Sequence, residues 1–238
     1  MELRDRLLRV VLAVLTVFLA MSPFANEIYG QLAQPMMESL PQGSSMIAID
    51  VAAPFLTPFK FTLVCAIFIT VPFVLYQMWA FVAPGLYASE RRLVLPLLVS
   101  SSVLFYLGMA FAYFVVFPVV FGFMATSAPD GVAVMTDISR YLDFVIVMLF
   151  AFGIAFEVPI ATVLIIKAGL TTADSLASKR KYIIVGAFVV GMLLTPPDVL
   201  SQTMLAIPMW MLFEVGLWAS RKFYSSPNEE GDDAGGAA

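Results

Sequence analysis

Six stretches of the chain read as almost uninterrupted apolar residues: 7–24, 59–82, 93–123, 144–166, 182–194 and 199–219. Nothing else in the sequence restricts the possible folds so strongly. A helix rises 1.5 Å per residue and bilayer hydrocarbon is about 30 Å thick, so about 20 apolar residues make one crossing. Within hydrocarbon each backbone N–H and C=O must be bonded inside the protein, which makes helices of such runs. Five of the six are long enough. The run at 182–194 would be only about 20 Å of helix. As a true span it needs Lys179, Arg180 and Lys181 to snorkel outward and the bilayer to thin locally. The alternative is a re-entrant segment paired with the next run through Thr195-Pro196-Pro197-Asp198.

Composition agrees with the bilayer as solvent. Apolar residues are 61% of the 238 and charged ones 13%, against ~45–50% and ~25% in soluble domains, and the mean hydropathy is +0.93. With no histidine, the commonest general base and metal ligand is missing. A single cysteine, Cys65, excludes an intramolecular disulfide and a thiolate metal cage. No Gly-rich phosphate loop, metal cluster or nucleophile–base pair is visible, so neither an enzyme nor a cofactor site is expected. A net charge of −4 argues against nucleic acid as a partner.

Lys and Arg set the orientation. Arg4, Arg6 and Arg9, then Arg91 and Arg92, then Lys167, Lys179, Arg180 and Lys181, then Arg221 and Lys222 fall on one side; Lys60 and Arg140 fall on the other. The positive-inside rule places both termini in the cytoplasm. Arg4, Arg6 and Arg9 before an apolar stretch also suit a secretory signal peptide. Ser22-Pro23-Phe24-Ala25 is a poor cleavage site, however, and an uncleaved first span is expected.

The outer segment 25–58 is long and proline-rich, with a turn at Gln42-Gly43-Ser44-Ser45, and should form a cap of short helices. The stretch after Lys222 is acidic and Gly/Ala-rich and should be disordered. No internal repeat is visible, so the inverted-repeat signature of many secondary transporters is missing. The expected fold is an all-α integral membrane protein. It has six transmembrane helices in one membrane domain over 1–222, both termini cytoplasmic, a helical periplasmic cap, short fifth and sixth spans, and a tail over 223–238.

Among side chains, Glu157 is the most expensive, since a carboxylate in mid-span costs about 2.5–3.5 kcal/mol on insertion scales. It stands in Phe156-Glu157-Val158-Pro159, and Pro159 should kink that helix. Its two readings are a functional acid and packing glue hydrogen-bonded to a neighbouring span. Glu214 lies close enough to Ser220 and Arg221 to snorkel or to pair with a base. Gln202 and Thr203 give the sixth run a polar stripe, for packing or for a partner helix. Pro72, Pro118 and Pro208 predict further kinks. Glu90, before Arg91-Arg92, reads by itself as a solvated loop charge.

Several strings together resemble the TatC family, the multispanning receptor subunit of the twin-arginine protein translocase. They are Glu2-Leu3-Arg4, Leu40-Pro41-Gln42-Gly43, Tyr76-Gln77-Met78-Trp79-Ala80-Phe81, Pro84-Gly85-Leu86-Tyr87 with Glu90-Arg91-Arg92, Phe156-Glu157-Val158-Pro159, and Met192-Leu193-Leu194-Thr195-Pro196-Pro197-Asp198. The likeness runs from Glu2 to about Lys222. One departure is a lead before Glu2 shorter than the family's and without its His-Leu pair.

The resemblance implies a non-enzymatic receptor and scaffold in the bacterial inner membrane. It would bind twin-arginine signal peptides, associate with itself and with single-span partners of the TatA and TatB type, and export folded proteins on the proton-motive force. It implies an arginine-recognition patch of Glu2 and Glu90 with Phe81 and Arg4 beside them. It also implies a membrane-embedded functional acid at Glu157, outer-face positions at Pro35 and Asp198, and partner-helix docking around Met192, Leu193 and Gln202. The rival reading is a proton-coupled secondary transporter or channel that titrates Glu157. An intramembrane protease would need a nucleophile–base pair.

Overall fold

A computed structural model of the chain describes residues 2–31, 47–82, 94–126, 136–167, 169–194 and 199–223. Among these residues the structure is helical, and the only extended pairing is an isolated parallel bridge between Ile47 and Asp137. They fall into two compact units, Met1–Gly153 and Ile154–Ala238. Among the described residues five helical stretches are long and apolar enough to cross a membrane: Leu3–Gln31, Ala53–Met78, Leu95–Phe123, Ile138–Lys167 and Gln202–Lys222.

In the first unit, α1 (Glu2–Met21) continues through a 3-10 turn at Ser22–Phe24 into helical residues 25–31. It packs against α2 (Ala53–Val82), which in turn packs on α3 (Val94–Phe111). A π stretch, Ala112–Val116, leads into α4 (Phe117–Thr126). There the Phe117 N–H donates to the Ala112 carbonyl, an i to i+5 bond, and this loosened turn makes room for the ring of Pro118. Next comes α5 (Ile138–Ala155), whose last two residues belong to the second unit. The core is aromatic. Phe121 stacks 5.4 Å from Phe117, 5.3 Å from Tyr141 and 5.7 Å from Phe144, inside the 4.5–7 Å range favoured by ring quadrupoles.

Prolines explain part of the interhelix bonding. Pro72 cannot donate to the Phe68 carbonyl one turn earlier, which would leave that oxygen unpaired in hydrocarbon. The Tyr106 hydroxyl of α3 donates to it at 2.9 Å. Tyr106→Phe should therefore lower stability in detergent by about 1–2 kcal/mol. Reversible unfolding of the variant checks this: an unchanged midpoint would mean the carbonyl finds another donor.

At the other end of these helices polar groups tie the segments together. Ile47 N–H donates to the Thr136 carbonyl at 3.0 Å and Ile138 N–H to the Ile47 carbonyl at 2.9 Å. The hydroxyls of Thr57 and Ser139 lie 3.1 Å apart. Lys60 of α2 also pairs with Asp143 of α5. Of the segment 25–58 expected to form a cap, residues 25–31 continue the first helix and residues 53–58 open α2; residues 32–46 lie outside the described part.

The second unit holds α6 (Val158–Lys167), α7 (Ala173–Ser178), α8 (Arg180–Leu194) and α9 (Val199–Phe223), with α6, α7 and α8 all packed on α9. Gly169, at φ +69°, ends α6. Its own N–H bonds to the Ile166 carbonyl, and the Leu170 N–H reaches back to Ile165, the pairing of a Schellman cap. Thr172 caps α7 by accepting the Ser175 N–H at 3.2 Å.

The fifth apolar run is short, a 15-residue helix. The sixth is not, which corrects the expectation of two short spans: α9 has 25 residues. The apolar run stops at Ala219, but the helix does not. The Ser220 hydroxyl bonds back to the Gly216 carbonyl, and Arg221 and Lys222 suit the negative end of the helix dipole. The acidic tail, 224–238, lies outside the described residues.

Candidate functional site

Three places bring the sequence candidates together, and each can be built from its helices. The first is where α1 begins and α2 ends. Glu2 opens α1, and Phe81 stands in the last turn of α2. Arg4 is exposed, with its Nε 3.2 Å from the carboxylate of Asp5, a contact worth little in solvent. Deeper in, Arg6 Nη1 donates to Gln77 Oε1 at 3.2 Å. Gln77 is only 6% exposed, an amide buried in a mostly apolar helix. The sequence shows Arg6 as an orientation charge and Gln77 as part of a motif, and nothing local in it pairs two residues 71 positions apart. Glu90 lies outside the described residues.

The second place is Glu157. The kink expected from Pro159 is present as a break: α5 ends at Ala155, Phe156 and Glu157 form a turn, and α6 starts at Val158. Glu157 N–H bonds to the Ile154 carbonyl at 3.0 Å, an i to i+3 contact, and Ala161 N–H bonds to the Glu157 carbonyl at 2.9 Å, where regular helix resumes. The carboxylate thus stands at a joint between two helical segments. The residue is half-buried, and Oε1 is shielded from solvent.

Close packing holds α6 against α9. A Cβ on Gly216 would stand 2.8 Å from the Pro159 Cα, 3.0 Å from its carbonyl oxygen and 2.9 Å from the Thr162 Cβ. Glycine is required there because two backbones meet.

The third place is the hairpin of α8 and α9, pinned at both ends. At one end Arg180 makes a bidentate pair with Glu214, Nε to Oε1 at 2.6 Å and Nη2 to Oε2 at 2.8 Å. Of the two options for Glu214, pairing with a base is the one realised. Arg221 Nη2 also reaches Asp174 of α7 at 2.7 Å, and the Lys222 ammonium lies 4.9 Å from the Trp218 ring centre.

At the other end Gln202 Nε2 donates to the Phe188 carbonyl at 2.8 Å, close beside Gly191. Gln202 therefore packs the hairpin. Met192 and Leu193, near the end of α8, are exposed at 57% and 74% and leave an apolar surface there. Asp198 and Pro35 lie outside the described residues.

Comparison with known proteins places this geometry among relatives. A family model described as TatC, Sec-independent protein translocase protein, matches residues 1–208. The chain is 60% identical over 223 residues to the Sec-independent protein translocase protein TatC of Escherichia coli (strain K12), covering 94% of this chain and 86% of that protein. The protein of the same name from Azotobacter chroococcum mcd 1 is 58% identical over 217 residues, 91% of this chain and 85% of the relative. Among solved structures, one described as the crystal structure of the twin-arginine translocase receptor TatC superposes with a TM-score of 0.81 at 37% identity. It covers 93% of this chain and 97% of that one.

Proposed function

The chain belongs to the TatC family, a component of a protein translocase and not an enzyme, and on that premise we propose that it is the receptor and scaffold of twin-arginine export. In this reading Glu2 and Glu90 bind the paired arginines of a signal peptide, with Phe81 and Arg4 beside them. The observation that carries it is the family match over residues 1–208, which takes in each of these positions. Arginine suits such a site because its planar fork gives two hydrogen bonds to one carboxylate, whereas lysine offers a compact point charge.

The rest of the reading follows the same premise. The chain lies in the bacterial inner membrane as one domain of six spans over 1–222, with α8 as the short fifth and both termini cytoplasmic. Pro35 belongs to the periplasmic cap and Asp198 to the outer loop. Met192 and Leu193, exposed on α8, dock the helix of a TatA- or TatB-type partner, with Gln202 fixing the hairpin behind them. Copies associate in a larger complex, and the proton-motive force drives folded cargo across.

The test is binding of a synthetic signal peptide to the chain in nanodiscs, with its Arg-Arg pair and with Lys-Lys. The Arg-Arg peptide should bind and crosslink near Glu90, and the Lys-Lys peptide should bind measurably but much more weakly. Equal binding of the two would sink the receptor reading.

Glu157 is the membrane-embedded functional acid. Glu157→Ala should reduce export of a reporter in membrane vesicles about tenfold or more, in the range of a lost polar contact that acts in transport. Its abundance in the membrane should stay near the parent's. An unchanged export rate would leave Glu157 a packing role only.

A further inference from the structure

The geometry points to Gln77 and Arg6 as a positioning pair that sets the register of the arginine-recognition site. This inference rests on the reading of Glu2, Phe81 and Glu90 as that site. The hydrogen bond from Arg6 Nη1 to Gln77 Oε1 joins α1 to α2 near one end. At the other end, Ser22, Pro23 and Ala25 share a cavity with Pro54, Phe55 and Phe59. The start of α1 therefore meets the end of α2, and the two helices run antiparallel.

Both sequence offsets from the pair are four residues: Glu2 to Arg6, and Gln77 to Phe81. In a helix, residues four apart share a face and are separated by about 6 Å along the axis. One turn from Arg6 towards the start of α1 leads to Glu2. One turn from Gln77 towards the end of α2 leads to Phe81. Because the helices are antiparallel, both turns go the same way. The pair thus sets the backbones of positions 2 and 81 at one level along the two helices. A slip of α1 by one residue would move Glu2 by about 1.5 Å along the axis and about 100° around it.

The chemistry of the pair fits that duty. A buried amide in an apolar helix is costly unless it is bonded, and Gln77 is buried. Arg6 supplies the donor, and its charge lies near the start of α1, where arginines cluster. A carboxylate at position 77 could hold Arg6 in the same place, whereas an apolar residue of similar size could not. Geometry matters more to this ligand than to a simple cation. Bidentate capture of a guanidinium needs the carboxylate at a fixed level and angle, while an ammonium tolerates displacement. Loosening the register should therefore lower selectivity for arginine over lysine, an effect that general destabilisation would not produce.

The experiment measures affinities of the Arg-Arg and Lys-Lys peptides for the full chain in nanodiscs, per folded protein. For Gln77→Leu the Arg-Arg affinity should fall about tenfold, the scale of one lost hydrogen bond, with the Lys-Lys affinity nearly unchanged. Gln77→Glu should keep the parent's ratio. Arg6→Met removes the donor from the other side and should lower the ratio as Gln77→Leu does; it decides the matter if Gln77→Leu fails to accumulate. An unchanged Arg-to-Lys ratio in Gln77→Leu or Arg6→Met overturns the positioning role. Glu2→Gln, measured alongside, separates the two ideas. If it binds like the parent, the site reading itself fails. If it loses binding while the ratio in Gln77→Leu stays put, only the positioning role fails.

Discussion

Replacing Glu2 and Glu90 together by glutamine should weaken binding of a twin-arginine peptide about a hundredfold or more at moderate salt. Each charge-assisted hydrogen bond between a guanidinium and a partly shielded carboxylate contributes roughly 1.5–3 kcal/mol. Two such bonds span about two to four decades in affinity, with the lower figure apt for a site open to solvent. The amides keep the shape and part of the hydrogen bonding, so folding and membrane insertion should not change. Each single replacement should give about half the loss in free energy, and the double variant should lose its preference for Arg-Arg over Lys-Lys. Titration of labelled peptide into the chain in nanodiscs measures all three. Parent-like affinity in the double variant would place the site elsewhere.

The second large effect concerns Gly216, where the backbone of α6 meets α9. A leucine there must push Pro159 and Thr162 aside, since even its Cβ would start 2.8 Å from the Pro159 Cα. Overpacking of this kind typically costs 1–3 kcal/mol, and rigid backbone on the opposing side puts Gly216→Leu at about 3 kcal/mol or beyond. The variant should accumulate poorly and be cut readily by protease in the second unit. Gly186, where an added Cβ meets nothing within 4 Å, is the internal control: Gly186→Ala should leave abundance unchanged. Normal accumulation of Gly216→Leu would mean that α6 and α9 can separate without loss.

What could be read from the sequence divides along a physical line. Local covalent constraints were readable. Pro159 lacks an N–H wherever it lies, so the helix break beside Glu157 follows from that one residue. The brevity of α8 follows from counting residues between Leu194 and the basic cluster at 179–181. The length of α9 exceeds its apolar run because hydropathy marks only where apolar residues stop. Helices stop where caps or prolines act, and Ser220, Arg221 and Lys222 supply neither.

Pairings between distant positions were the least readable. Glu214 offered a choice of solvent or a base, and only the packing of α8 on α9 selects Arg180. Gln77 stood in a recognisable string, yet its partner Arg6 emerges only when two antiparallel helices are brought side by side. Pro72 announced a kink without naming Tyr106 as the group that satisfies the freed carbonyl. Of the candidate site, Glu90, Asp198 and Pro35 lie outside the described residues.

The hydroxyl of Tyr106 on the Phe68 carbonyl bears on how such a chain is made. Helices leave the ribosome in order, and α2 is complete before α3 exists. During that interval α2 carries a carbonyl that its own proline has stripped of a donor, at a depth where water is scarce and an unmet polar group costs several kcal/mol. A lone α2 is therefore a poor guest of lipid, and the pair α2–α3 a good one. Biogenesis should deliver them together: α2 should linger beside the insertion machinery, in a partly hydrated lateral site, until Tyr106 arrives. Ribosome-bound intermediates truncated before and after residue 106 would show it as a handover of α2 from protein crosslinks to lipid crosslinks.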